Sequence, residues 1–235
     1  MKKIILGLLT ISSIFTKAQT SVIDENFDNN NNSWYESKEG TNSSEIKKGV
    51  YILENKNENG AWFHKTLDVT PDNEDFTLEC KLTQVKGVDN FGFGLVWGMY
   101  SDNSAYQTFF ISSTGLFQLN KFHSQKDHKY SDWSESKAIN GIKKSNILKI
   151  VKTSNICAFY INGTEVYKSG DFSYFGSKFG FYINNKMEIE VDYLKITKSP
   201  KNINFIKNHA DEQPKIKLSE NINDPNLSEV LPVTS

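Results

Sequence analysis

Residues 156–169 read ICAFYINGTEVYKS. Two short runs rich in β-branched and aromatic residues, 156–161 and 164–169, flank the dipeptide Asn162-Gly163. Asn-Gly is the strongest short hairpin signal, because both central positions of a type I′ turn need φ > 0. The stretch therefore predicts an antiparallel hairpin. Alternate side chains of a strand share a face, so Cys157, Phe159 and Ile161 point together, toward a core. The Asn-Gly-Thr triplet also matches a glycosylation acceptor, a reading that a tight hairpin disfavours.

The same texture recurs on both sides. GVYILEN, AWFHKTLDV, DFTLECKLTQV, FGFGLVWGMY, YQTFFIS and GLFQLNKF come earlier, and a long polar connection then leads to NILKIVKT. SKFGFYINN and KMEIEVDYLKIT come after the hairpin. Gly, Asn, Asp and Ser punctuate these runs, and no helical period competes with them. About eleven strands with regular turns argue for an all-β, antiparallel two-sheet sandwich. Ahead of them, SVIDENFDNNNNSWYESKEGTNSSEIKKG is polar, anchored by Val22, Ile23, Phe27 and Trp34, with a loop at 29–32.

The ends read differently. Residues 1–18, MKKIILGLLTISSIFTKA, have a basic start at Lys2 and Lys3, an apolar run from Ile4 to Phe15, and small residues at Thr16 and Ala18. This is the pattern of a secretory signal peptide cut after Ala18. The competing reading is a buried or retained N-terminal helix, but the run is short for a bilayer span. No later segment has transmembrane length. The expected address is exported: periplasmic, outer-membrane-associated or extracellular. From Lys198 onward strand alternation gives way to a stretch holding four of the chain's five prolines. The expected organisation is a signal peptide at 1–18, a sandwich at 19–197, a linker at 198–219, and a final segment at 220–235.

The formal charge is −1, and −4 without the three lysines of the leader (Lys2, Lys3 and Lys17). No arginine occurs in the chain. Bidentate phosphate recognition depends largely on arginine, so nucleic acid is not an expected partner. Cys80 shares parity with Phe76, Leu78 and Leu82, and Cys157 with Phe159 and Ile161. An oxidising compartment permits a disulfide, but the sequence favours two buried thiols, because it supplies no evidence of proximity. His123, His128 and Asp127 lie in a polar stretch with no third ligand fixed by spacing, so no metal site is expected there. Asp102, Asn103 and Ser104 sit between two strands. They read as a plain turn, with a structural calcium as the alternative, since hard cations take oxygen ligands. No other cofactor is implied, and no nucleophile-elbow motif places a Ser, His and Asp together.

Taken in order, ENFDNNNNSW, FTLECKL with FGFGLVWG, YQTFFISSTGLFQLNKF, DWSESKAING, NILKIVK, CAFYINGTEVYKS, FGFYINN and EVDYLKIT resemble the concanavalin A-like, LamG-like jelly-roll domains of secreted bacterial proteins. The most specific parts are Trp133–Ile139, the Asn146-x-Leu148 entry and Phe159–Gly163. The resemblance implies a jelly roll; it leaves function open, because this fold hosts many functions. The end ENINDPNLSEVLPVTS, Glu220–Ser235, resembles the opening of a bacterial WD40-like β-propeller. Such propellers often precede OmpA-like envelope domains, which implies an envelope setting. An ordinary irregular tail is the other reading.

Two sets of residues carry the functional candidates. Glu188, Glu190 and Asp192 alternate along one strand, and i,i+2 carboxylates about 6.8 Å apart fall within the range of glycosidase pairs. The laminarinase-like jelly-roll enzymes carry a Glu-x-Asp-x-(x)-Glu strand. Here the second and third acids depart from that pattern, and the domain ends a few residues later. The favoured reading places Ile189, Val191 and Tyr193 in the core and the acids outward. Trp34, Tyr100, Tyr106, Tyr130 and Trp133 lie in or beside loops and could stack on a sugar ring. The expected function is a non-catalytic binding or spacer module at the cell envelope, its partner a glycan or an envelope protein. A glycoside hydrolase using the carboxylate row is the first alternative. A purely structural N-terminal domain of a larger envelope protein is the second, and it implies no concave aromatic patch.

Overall fold

A computed structural model describes residues 19–200 apart from 70–73, 171 and 173–175. The leader (1–18), residues 201–219 of the expected linker and the propeller-like end (220–235) lie outside the described residues. The described chain forms fourteen strands: β1 (Thr20–Glu25), β2 (Asn42–Lys47), β3 (Val50–Asn55), β4 (Ala61–Thr66), β5 (Glu74–Gly87), β6 (Phe93–Met99), β7 (Ala105–Ile111), β8 (Leu116–His123), β9 (Lys126–Glu135), β10 (Ser145–Thr153), β11 (Ile156–Ile161), β12 (Thr164–Ser169), β13 (Lys178–Ile183) and β14 (Met187–Pro200).

Two sheets pack face to face. One runs β12-β11-β10-β5-β14-β3-β2, with β1 also on β14; the other runs β4-β13-β6-β7-β8-β9. On β14, β3 pairs with Met187–Val191 and β1 with Leu194–Lys198. The final strand reaches Pro200, three residues beyond the boundary expected at Thr197. Eleven strands fall where the apolar runs lie. The other three are β1, β2 and β9. The first two fall in the polar N-terminal stretch, and β9 falls in what reads as a polar connection. These strands bury little: most of β9 is exposed on both faces. Without a buried face there is no apolar alternation to read.

The hairpin forms as expected. Asn162 and Gly163 have φ of 49° and 83°, and Ile161 pairs with Thr164. Asn162 has a further role. Its Nδ2 donates to Ala138 O at 2.7 Å and to Asn146 Oδ1 at 2.9 Å, while its Oδ1 accepts from Ile147 N at 2.7 Å. Asn146, fully buried, also accepts from Asn140 N at 2.8 Å and donates to Asn140 O at 2.9 Å. One polar network thus joins the three most specific segments of the resemblance. Inside a sandwich such groups are costly unless every one is satisfied, and here they fix the loop before β10.

The core lies between the sheets. β5 alternates strictly, sending Phe76, Leu78, Cys80 and Leu82 inward. Both cysteines are buried thiols. Cys80 pairs opposite Leu148 on one side of β10 and Cys157 opposite Lys152 on the other. Two strand spacings and four residues separate them, well over the roughly 7 Å limit between bridged Cα atoms.

At the N-terminal end, Glu25 is a buried carboxylate. It accepts from Phe27 N at 2.8 Å, Asn32 Nδ2 at 2.6 Å and Trp34 Nε1 at 3.0 Å. The Asn-rich loop is therefore wrapped around one anion, and it delivers Trp34 into the core.

Candidate functional site

In a two-layer sandwich the outer face of a strand meets solvent, yet β6 is buried at all seven positions. Val96 faces away from the core, paired with Gly180 and Thr108, and is still 0% exposed. Something must cover it. The cover is a set of rings on the outer face of the six-stranded sheet. Trp62 on β4 meets Tyr182 on β13 at 4.3 Å and Tyr106 on β7 at 4.8 Å between ring centroids. Phe110 stacks on Tyr182 at 5.2 Å, and Phe122 on Tyr106 at 4.9 Å. Glycines stand beside these rings, Gly94 opposite Tyr182 and Gly180 between His64 and Val96. A Cβ on Gly180 would sit 2.1 Å from Phe63 O, and one on Gly94 2.3 Å from Phe109 O, so neither position accepts a side chain.

The rings border a groove of about 220 Å³. Trp62 and Tyr106 line one side and Trp133 the other, with Thr108, Gln118 and Asn120 between them. Trp62 and Trp133 are each 39% exposed, so each presents part of a ring to solvent. The Trp133 ring lies over Gly92, where a Cβ would meet Cη2 at 2.8 Å. Thr108 and Asn120 pair across β7 and β8. Asn120 Nδ2 donates to Gln118 Oε1 at 2.8 Å, whereas Thr108 Oγ1 and Asn120 Oδ1 are buried without a hydrogen-bond partner among the described residues. Buried polar atoms without a partner are rare in a native sandwich.

Asp127 on β9 joins the groove and is the one charged residue in its lining. Burial and then the Asp127 carboxylate push the Tyr106 phenol up to about 12, and the same two causes raise Tyr182. Both phenols stay neutral hydrogen-bonding groups throughout the physiological range. His64 lies beyond Trp62 on β4, on the same face. Burial and then the Lys178 ammonium hold it below its ordinary value.

The sequence candidates disperse over the fold. Tyr106 and Trp133 line the groove. Trp34 does not reach a binding surface: it is 3% exposed, packed against Phe27, Tyr51 and Phe181, and pinned by Glu25. Tyr130 turns inward, its ring 4.1 Å from Phe172 and against the core. Tyr100 is exposed just past the end of β6, outside the groove lining. The groove also holds Trp62, Tyr182, Phe110 and Asn120, which sequence reading did not single out, and Asp127, which it weighed only as a metal ligand beside His123 and His128. Its one advance signal was FGLVWGM, a run without alternation in a protein of alternating strands.

The carboxylate row lies on the outer face of the other sheet. Glu188 pairs with Lys86 at 3.0 Å, and Asp192 with Lys81 at 3.2 Å. Ile189 and Val191 are buried as expected, but Tyr193 is not a core residue. A register shift between Val191 and Tyr193 switches the strand's parity; Leu194 takes the inward place and Tyr193 donates to Glu79 Oε1 at 2.9 Å. Glu54 stands opposite Glu188 and shares Lys86 at 3.0 Å. Burial opposes its ionisation, but Lys86, Ser43 and Lys56 outweigh that and hold Glu54 below the usual carboxylate range. A depression of about 350 Å³ beside Glu188 is lined by Lys, Glu, Ser and Ile52 and contains no aromatic side chain.

The Asp102 turn is closed by its own side chain, which accepts from Ser104 N at 3.0 Å and Ser104 Oγ at 2.7 Å. Lys178 Nζ donates to Ser101 O at 2.5 Å and Asn103 Oδ1 at 2.9 Å, so an ammonium takes two oxygens a cation would use. No group of three or more potential metal ligands occurs among the described residues. No described helix is long and apolar enough to cross a membrane.

No family model and no curated protein matches the sequence. Solved structures do match. A Bacillus subtilis protein of unknown function with a galectin-like fold superposes with a TM-score of 0.55 at 11% identity, over 80% of this chain and 99% of that one. The CBM2 module of the evolved Dit of Lactobacillus casei BL23 phage J-1 gives 0.54 at 8% identity, over 79% and 98%. A Bacillus licheniformis β-glucanase gives 0.52 at 10%, over 75% and 97%. The chain is a jelly-roll sandwich. At these identities the likeness is one of fold; a binding module and a glucanase share it, so function must be argued from the groove.

Proposed function

We propose that this protein is a non-catalytic glycan-binding module, and that the groove on its six-stranded sheet is the binding site. One observation carries the reading: partly exposed Trp62 and Trp133 flank unpartnered polar oxygens of Thr108 and Asn120. A pyranose ring has apolar faces and a polar rim. Aromatic rings take the faces and fixed polar atoms take the hydroxyls. A purely structural domain has no use for such a patch. The CBM2 module and the glucanase among the structural neighbours support glycan recognition, the glucanase by a name that gives a glycan substrate.

Support for a non-catalytic role comes from the carboxylates. Glycoside hydrolysis by the usual route needs two, one of them held protonated. The groove lining contains one, Asp127. Glu188 and Asp192 stand on the opposite sheet in ion pairs, with no aromatic platform beside Glu188. The leader-like residues 1–18 add an exported, envelope-associated setting to the proposal.

A glycan-array screen of the full-length chain, with calcium and with EDTA, tests it. Reproducible binding to a glycan class, lost in the Trp62→Ala and Trp133→Ala variants, is the expected result. A blank array from a folded protein, or release of reducing sugar from a bound glycan, would overturn it.

A further inference from the structure

The groove's charge is one-sided: Asp127 is the single charged residue in its lining. Asn120 donates one Nδ2 hydrogen to Gln118, and its Oδ1 is a buried acceptor without a partner among the described residues. The Asp127 carboxylate can only accept, and it makes no hydrogen bond or ion pair among the described residues. Thr108 Oγ1, nine-tenths buried and opposite Asn120, can do either. No lysine or histidine enters the lining. Lys129, which pairs with Asn120 across β8 and β9, is drawn away to Asp132 at 2.7 Å. Lys178, on the strand beside β6, is engaged with Ser101 and Asn103.

We propose that the groove selects uncharged, hydroxyl-rich glycans over acidic ones, and that Asp127 is the residue that discriminates. The proposal rests on the glycan-binding reading and adds the substrate class. A neutral sugar brings O–H donors to Asn120 Oδ1 and Asp127, and its hydroxyl oxygens accept from Thr108. A uronic acid or sulfated sugar brings an anion to a site whose single charged residue is already an acid. It finds no cation there, and it places like charge against Asp127 in a groove walled by aromatic rings. Like-charge juxtaposition is one means by which a binding site rejects a ligand that otherwise fits.

The test is calorimetric titration of the full-length chain with matched oligosaccharides: a neutral hexose series, the corresponding uronic acids, and the corresponding amine-bearing sugars. Wild type is expected to bind the neutral series and to bind the uronic acids at least about tenfold more weakly. In Asp127→Asn the gap should close to about twofold, and in Asp127→Lys the order should reverse. Asp127 is exposed, so both variants should fold, which circular dichroism checks. If no member of any series binds, the glycan reading falls and this proposal with it. If uronic acids bind wild type as tightly as neutral sugars, or the gap survives in Asp127→Asn, the glycan reading stands and the selectivity proposal is wrong. A preference for the amine-bearing series that Asp127→Asn abolishes would also overturn the neutral assignment.

Discussion

Trp62 and Tyr106 meet edge to face at 4.8 Å although two strands, β13 and β6, lie between their own in the sheet. The contact closes a roof over Val96 and draws the outer face of the sheet into a groove. Gly180, paired with His64 on one side and Val96 on the other, adds no side chain to this face.

Replacing Trp62 or Trp133 with alanine should weaken glycan binding about tenfold or more. The loss of one stacking face is worth about 1.4 kcal/mol in such sites. Trp62→Phe should recover most of it. Titration calorimetry reads the loss, and the thermal transition should move only a few degrees, because both rings are partly exposed.

Trp34→Ala should behave in the opposite way. Removing a buried indole leaves a cavity and costs about 3–5 kcal/mol. For a domain of this size that is about 10 °C in the melting temperature. Glu25→Ala should also destabilise the protein, by about 2–3 kcal/mol, because three donors lose one buried acceptor. Urea unfolding at neutral pH measures both. Where either variant remains folded, its glycan affinity should be unchanged.

The Asn162 network can be separated from its turn. Asn162→Gly keeps a residue suited to positive φ but removes the bonds to Ala138, Asn146 and Ile147. A cost of about 2 kcal/mol or more is expected, against a few tenths if only the turn mattered. Asn146→Ala should cost at least as much, and the double variant should cost less than the sum, since the two side chains share bonds.

His64 gives an acid-side dependence. Its folded value is depressed by burial and by Lys178. As pH falls below the ordinary value of 6.5, the unfolded chain gains a proton before the folded one does. This contribution is therefore complete above about pH 7 and is lost as pH falls through the folded value. Chemical denaturation of wild type and His64→Asn at pH 7.5 and pH 5 should show the smaller drop in the variant. An equal drop would mean that His64 is not held neutral.

The sequence disclosed the parts of the molecule whose physics is local. Asn162-Gly163 specifies its turn by φ alone, and β5 shows its buried face by simple alternation. β9 was illegible because an exposed edge strand has no pattern to show. Trp62 and Tyr182 resembled any strand aromatics; whether they face core or solvent depends on the register of β4 and β13 against β6, which is set by long-range pairing. Tyr106 and Trp133 stood out beside loops, and so did Trp34, which the Glu25 anchor pulls inward. Tyr193 misled through a bulge that shifted its parity. The acid row was readable as an outward face, although its pairing with Lys81 and Lys86 was not.

The four tryptophans supply the most direct test of the central claim. Trp34 and Trp97 are buried in the core, whereas Trp62 and Trp133 border the groove. In a ¹⁵N-labelled sample each indole N–H gives its own resonance. Titration with the best-binding glycan from the array should move the resonances of Trp62 and Trp133, assigned by substitution, and leave those of Trp34 and Trp97 in place. If binding moves neither groove indole, or instead perturbs amides around Glu188 on the opposite sheet, the groove is not the glycan site.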